Sequence, residues 1–153
     1  MALQAGDKAP DFKLESDTGK VSRASLKGKP FVVFFYPKDD TSGCTKEAIA
    51  FSEALKKFEK LGIAVLGVSK DSLASHEKFK AKHKLKVTLG SDPETAMAQD
   101  WGVWGEKTLY GRKYMGMERA TFLVDAKGAI AAAWRKVKVP GHVEAVLQAA
   151  KTL

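Results

Sequence analysis

The chain has 153 residues, 44% apolar and 29% charged, with 26 Lys and Arg against 18 Asp and Glu for a net charge of +8. That length suits one domain spanning residues 1–153, and the composition is that of a soluble globular protein rather than a disordered tail. A single cysteine excludes an intrachain disulfide and a thiolate zinc cage, and apolar runs such as Phe31 to Tyr36 fall far short of the ~20 residues a membrane helix needs.

Phe12-Lys13-Leu14 alternates apolar and polar residues, Asp17-Thr18-Gly19-Lys20 has turn chemistry, and Val21 resumes beyond it, which predicts a small hairpin. Phe31 to Phe35 is an unbroken β-branched and aromatic run, the pattern of a strand buried on both faces. Pro37 lacks an N–H and stops it. Ile63 to Val68 reads as a second such strand. Between them Cys44, Ala48, Phe51, Leu55 and Phe58 recur at steps of 4, 3, 4 and 3, one face of a long helix ending near Gly62. Strand, helix, strand in this order predicts a right-handed βαβ unit with a parallel pair. Ser72 is placed to cap a helix running to about Lys84, and Ser91-Asp92-Pro93 opens a short helical stretch ending near Trp101. Gly102 to Gly116 reads as an ordered loop with extended pieces. Ala120 to Val124 and Ala129 to Trp134 flank the turn Asp125-Ala126-Lys127-Gly128 as an antiparallel hairpin. After Pro140, Val143, Val146, Leu147 and Ala150 mark a closing amphipathic helix. The plan is that of a thioredoxin-like α/β fold: a central mixed β-sheet flanked by helices, with an N-terminal β-hairpin.

Residues 1–10 carry Asp7 and Lys8 and no apolar core, so no signal peptide is expected and the cytoplasm is the expected location. A pI near 9.5 raises the question of nucleic acid. The densest basic cluster, Lys78, Lys80, Lys82, Lys84 and Lys86, advances about 200° per step around a helix and forms no single stripe. No zinc-finger spacing or RNA-binding aromatic motif accompanies it, so it reads as a solvated surface, with no nucleic-acid partner. His76 and His83 lie two turns apart and His142 is remote, without ligand spacing, so no metal and no cofactor is expected.

Cys44 heads the buried stripe in the first turn of its helix. Taken alone, a cysteine there is a small buried hydrophobe. Its surroundings point elsewhere. Phe35-Tyr36-Pro37 ends a central strand and Lys38 to Gly43 leads onto the helix, and ligands of open α/β sheets bind in that carboxyl-end crevice. A thiol so placed faces the free N–H groups and positive end of the helix, which favour a thiolate. Gly43 lets the backbone come close to whatever the sulfur attacks.

Pro37-Lys38-Asp39-Asp40-Thr41-Ser42-Gly43-Cys44 resembles the Pro-x-x-x-Thr-x-x-Cys signature of the peroxiredoxins, and Glu47 follows it as in the bacterioferritin-comigratory, peroxiredoxin Q-like branch. Gly6 to Phe12 is similar to the family's opening, Trp101 to Lys107 and Tyr110 to Gly116 to a later loop, and Arg119-Ala120-Thr121-Phe122 to the segment supplying a second active-site charge. The resemblance implies a thiol peroxidase for hydrogen peroxide and organic hydroperoxides. It assigns Cys44 as the attacking sulfur, with Thr41, Arg119 and the backbone N–H groups near Gly43 and Cys44 as donors to the peroxide oxygens. Pro37 shields the thiolate. Thr41 also reads as a helix cap in competition with Ser42, Arg119 as a surface arginine, and Glu47 either orients Arg119 or favours the helix N-terminus. Trp101, Trp104, Tyr110 and Tyr114 read as core and rim packing, or as the lining of an opening for organic peroxides.

The donors are required on physical grounds. A thiol of ordinary pKa is ~3% thiolate at pH 7, so acidification gains at most roughly 30-fold. Nucleophilicity falls meanwhile with a Brønsted slope of about 0.4–0.5, leaving a net gain of only a few-fold. Each well-placed donor contributes roughly 10²–10³. Relatives with a second, resolving cysteine carry it where this chain has Ile49, or on the next helix around Phe79-Lys80-Ala81. The expectation is therefore a one-cysteine cycle in which thioredoxin, glutaredoxin or glutathione reduces a Cys44 sulfenic acid. Peroxiredoxin Q-like relatives are often monomers, and a monomer is expected here. Two other classes stay open: a sensor relaying oxidation to a partner protein, and a non-enzymatic holdase.

Overall fold

A computed structural model describes residues 3–153, and Met1 and Ala2, at the head of the segment read for a leader, lie outside them. In chain order the elements are β1 (Lys13–Ser16), β2 (Gly19–Ser22), a 3-10 turn (Ala24–Leu26), β3 (Phe31–Phe35), α1 (Ser42–Lys60), β4 (Ala64–Ser69), α2 (Leu73–His83), β5 (Thr88–Ser91), α3 (Ala96–Asp100), β6 (Trp104–Leu109), β7 (Arg112–Met117), β8 (Ala120–Val124), β9 (Ile130–Trp134) and α4 (His142–Ala150). Seven strands form one mixed sheet ordered β2-β1-β5-β4-β3-β8-β9, and β6 and β7 form a separate ribbon. β3 pairs parallel with β4 and antiparallel with β8. This is the thioredoxin-like arrangement the sequence pattern predicts.

All five residues of β3 are buried because both faces of the strand are covered. Val32 and Phe34 join the core built with Phe51 and Phe58 of α1 and Val146 and Leu147 of α4, while Phe31, Val33 and Phe35 join the opposite core with Phe12, Trp101 and Phe122. Each such side chain stabilises the fold by roughly 1.5–3 kcal/mol. The Phe34 ring stacks on Phe51 at 4.4 Å and occupies the space a side chain at Gly67 would need, where a Cβ would meet Phe34 Cζ at 2.6 Å.

Two segments differ from the sequence reading. β5 is short and contains Gly90, and it is a strand because β4 and β1 pair with it on either side. Where an ordered loop with extended pieces is expected over Gly102 to Gly116, β6 (Trp104–Leu109) and β7 (Arg112–Met117) pair as a continuous ribbon. Its turn, Tyr110-Gly111, has positive φ at both positions (51° and 77°), which suits a tight hairpin. The ribbon stands off the main sheet with Leu109, Tyr110, Tyr114 and Met115 exposed, so its sequence lacks the apolar alternation of a half-buried strand. Among the lysines read as solvated, Lys80 pairs with Asp17 and Lys82 with Asp40 at 2.7 Å, so two of them tie loops to α2.

The segment between β3 and α1 is fastened to α2 by a buried polar cluster. The Tyr36 hydroxyl donates to Asp39 Oδ1 at 2.6 Å, and Ser75 Oγ donates to Asp39 Oδ2 at 2.8 Å. His76 Nδ1 lies 2.7 Å from Asp39 Oδ2 and Nε2 lies 2.9 Å from the Gly90 carbonyl. Both ring nitrogens thus face acceptors, which calls for the doubly protonated imidazolium. Burial pulls the His76 pKa down, but the hydrogen bond and charge of Asp39 outweigh it and the net direction is up. Asp40, at φ 58°, is held by Lys82 and by His83 Nε2 at 2.8 Å. A raised pKa in the folded state stabilises the fold fully below the ordinary value of 6.5, and that contribution is lost as pH rises through the folded-state value. The urea unfolding free energy is therefore expected to decline as pH rises from about 6.5 through the folded-state value. His76→Gln should flatten the decline, and identical pH slopes in the two proteins would contradict the charged clamp.

Candidate active site

The sheet topology brings two distant residues to one edge. β8 runs antiparallel to β3 with Ala120 opposite Phe35, so Arg119, one residue earlier, emerges at the carboxyl end of β3 where α1 begins. Cys44 sits in the first turn of α1 and is 1% exposed. Arg119 Nη2 donates to Cys44 Sγ at 3.4 Å and Nη1 donates to Glu47 Oε1 at 2.8 Å. Glu47 follows Cys44 by one helical turn, so the two side chains share the inward face of α1. Gly43 makes room for this bridge, since a Cβ there would lie 3.0 Å from Arg119 Nη2.

Thr41 occupies the N-cap position in an extended conformation, but its side chain makes no capping bond. Its hydroxyl donates instead to the Lys38 carbonyl at 2.9 Å. Neither Thr41 nor Ser42 therefore consumes the first free N–H groups of the helix, and the first helical bond runs from Thr45 N–H to the Thr41 carbonyl. Pro37 is half-buried beside the pocket loop. Arg119 contacts both Cys44 and Glu47, whereas Thr41, exposed at the helix N-cap, makes no bond to the sulfur. Trp101 is fully buried against Phe35 and Phe122, which makes it core; Trp104 is half-buried, and Tyr110 and Tyr114 are exposed on the ribbon.

Burial of Glu47 pushes its pKa up to about 7, although the Arg119 charge and hydrogen bond oppose the shift. Behind it lie two residues the sequence reading did not connect with the site. His142 Nε2 lies 3.9 Å from Glu47 Oε2 and 2.7 Å from Thr121 Oγ1. Burial, then the Arg119 charge, pushes His142 down to about 4. Lys107 of β6 is half-buried, its pKa lowered by burial and by the Arg119 charge. Thr121 is buried because both faces of β8 are covered; Glu47 could have been flagged as a charge inside an apolar stripe, while His142 gives no comparable signal.

The arrangement presents a recessed sulfur to a fixed cation and to unbonded backbone donors. That suits a reaction in which sulfur attacks and negative charge develops on a neighbouring oxygen. Among the described residues no group of three or more His, Cys, Asp or Glu side chains is placed to hold a metal ion, and no helix is long and apolar enough to cross a membrane.

Residues 5–133 match the AhpC/TSA family. The chain is 48% identical to a putative peroxiredoxin Bcp of Coxiella burnetii over 148 residues, covering 96% of this chain and 98% of that one. It is 45% identical to peroxiredoxin Bcp of Bacillus subtilis, covering 100% and 98%. A solved structure of Xanthomonas campestris bacterioferritin comigratory protein, studied for alkyl peroxide reduction with trapped intermediate and ligand complexes, superposes with a TM-score of 0.90 at 40% identity, covering 97% of this chain and 98% of that one. With its sole cysteine at the head of α1 and Arg119 against the sulfur, the chain belongs to the AhpC/TSA family, among the Bcp and peroxiredoxin Q-like peroxiredoxins, which are thiol peroxidases.

Proposed function

We propose that the chain reduces hydrogen peroxide and organic hydroperoxides through Cys44 alone, in a cycle completed by an external thiol. The observation that carries this reading is the Arg119 guanidinium held 3.4 Å from the only sulfhydryl of the sequence. In the first half-reaction the thiolate attacks one peroxide oxygen and the O–O bond breaks. Its electron pair leaves on the other oxygen, which takes up a proton as water or alcohol. Sulfur is oxidised by two electrons to the sulfenic acid. Arg119 and the N–H groups of Gly43 and Cys44 stabilise the charge on the departing oxygen. Thr41 commits its proton to the Lys38 carbonyl, so its lone pairs accept the peroxide O–H and orient it. Pro37 keeps water from the sulfur, and Glu47 holds the guanidinium. The alkyl peroxide reduction studied in the Xanthomonas relative supports including organic hydroperoxides.

In the second half-reaction an outside thiol, of thioredoxin, glutaredoxin or glutathione, attacks the sulfenic sulfur. Water is released and a mixed disulfide forms, which a further thiol resolves. Ile49 stands at one position where relatives carry a resolving cysteine, and at the other Phe79 is buried and Lys80 is tied to Asp17, which supports an external reductant. Two copies of this chain would have to bring together two sulfurs that are each 1% exposed, whereas an outside thiol has to reach only one recessed sulfur, which supports a monomeric cycle.

Arg119→Met keeps much of the side-chain length and deletes the charge. The second-order rate constant for peroxide should fall about 100-fold while Cys44 stays alkylatable. An unchanged rate at matched thiolate fraction, followed by stopped flow, would remove Arg119 from the mechanism. Without reductant each chain should consume about one equivalent of peroxide, gain one oxygen and stop, and excess peroxide should carry Cys44 on to sulfinic acid. A small dithiol should restore turnover, and Cys44→Ser should consume none. Intact-mass spectrometry and non-reducing gels read the result; a dominant disulfide-linked dimer would overturn the external-thiol cycle.

A further inference from the structure

His142 opens α4 and is left unused by the cycle above. Its ring stands edge-on to Phe51 at 6.1 Å and to Trp134 at 5.9 Å. Nε2 lies 2.7 Å from the Thr121 hydroxyl and 3.9 Å from Glu47 Oε2. That carboxylate oxygen is fully enclosed and has no hydrogen-bond partner, while Oε1 takes the Arg119 bond. An enclosed oxygen without a donor is costly and calls for an explanation. Among the described residues Arg119 and His142 are the only basic groups within 4.0 Å of the carboxylate.

We infer that His142 and Thr121 are a positioning pair for Glu47, holding the environment of its unbonded oxygen and thereby setting how the Arg119 charge is divided between Glu47 and Cys44. The inference rests on the role given to Arg119 in the proposed peroxidase cycle. Glu47 is faced by Arg119 from the β7–β8 connection and by His142 from α4; the Thr121 hydroxyl of β8 meets the same His142 nitrogen, and Cys44, on the helix of Glu47, shares Arg119 with it. Lys107 of β6 adds a half-buried ammonium on the Arg119 and Cys44 side.

With Glu47 pushed up to about 7 by burial and His142 down to about 4, His142 is uncharged near neutrality and Glu47 is the member that titrates. Protonated Glu47 leaves the guanidinium charge to the sulfur and the departing oxygen. Ionised Glu47 neutralises much of it. Peroxide reactivity per thiolate therefore falls several-fold as pH rises through the Glu47 titration.

The test is the rate constant of sulfenic acid formation across the neutral pH range, normalised to the thiolate fraction from alkylation rates. His142→Phe keeps the ring between Phe51 and Trp134 and removes the nitrogen. Its less polar surroundings should keep Glu47 protonated longer and move the falling limb about one unit to higher pH. Thr121→Val removes the hydroxyl at equal size, should move the limb in the same direction, and serves if the first variant does not fold. Glu47→Gln should remove the limb. Thermal melts establish that each variant is folded. Wild-type profiles in both His142→Phe and Thr121→Val, or a limb that persists in Glu47→Gln, would overturn the inference. A wild-type Cys44 that forms no sulfenic acid with peroxide would instead sink the peroxidase reading on which it rests.

Discussion

One guanidinium serves two acids. Arg119 bonds Glu47 with one nitrogen and Cys44 with another, and the only other basic group within 4.0 Å of Glu47 among the described residues is the neutral His142. A single positive charge is shared between two acidic side chains in a desolvated site. Glu47 is wholly enclosed, and its burial outweighs the Arg119 charge and biases it toward the protonated form. Removing one partner of a buried ion pair costs about 3–5 kcal/mol, so the pair also constrains where Arg119 can point. The mouth of the pocket inherits its electrostatics from this competition.

The scaffold exists to keep that competition in register. The antiparallel pairing of β8 with β3 brings Arg119 to the start of α1 from 75 residues away. Burial of β3 on both faces fixes its height in the sheet, and Phe34 stacked on Phe51 ties the strand to α1. The loop between strand and helix would otherwise be free to fluctuate. Asp39 and Asp40 anchor it to α2 through His76, Ser75, Lys82 and His83. Charged groups far from the sulfur in sequence thus bear on its position without touching it.

Much of this was legible in the residues. The stripe from Cys44 to Phe58 announces α1 because a helix buried on one side must repeat its apolar residues near every 3.6 positions. The continuous run Phe31 to Phe35 announces a central strand for an equally local reason. β6 and β7 were not legible, since a ribbon off the main sheet needs no alternation, and β5 owes its form to its neighbours. Resemblance, rather than periodicity, singled out Arg119. Its proximity to Cys44 depends on which strands pair, and no local pattern encodes that. The Asp39–His76 contact, 37 residues apart in sequence, and the His142–Thr121 contact, 21 apart, were invisible for the same reason.

Gly43 shows how an active site can depend on an absent atom. The guanidinium of Arg119 lies 3.0 Å from where a Cβ would be, so the space beside the helix N-terminus is occupied by the cation that bonds the sulfur. The backbone there needs no unusual dihedral, and conformational freedom is not what the position requires. Any larger residue would compete with Arg119 for volume, and the cation would yield before the helix did. A survey of polar and ionisable groups would pass over the position, because its contribution is measured in cubic ångströms rather than in charge. A side chain there would displace the charge that stabilises the departing oxygen while every recognised functional side chain remained present.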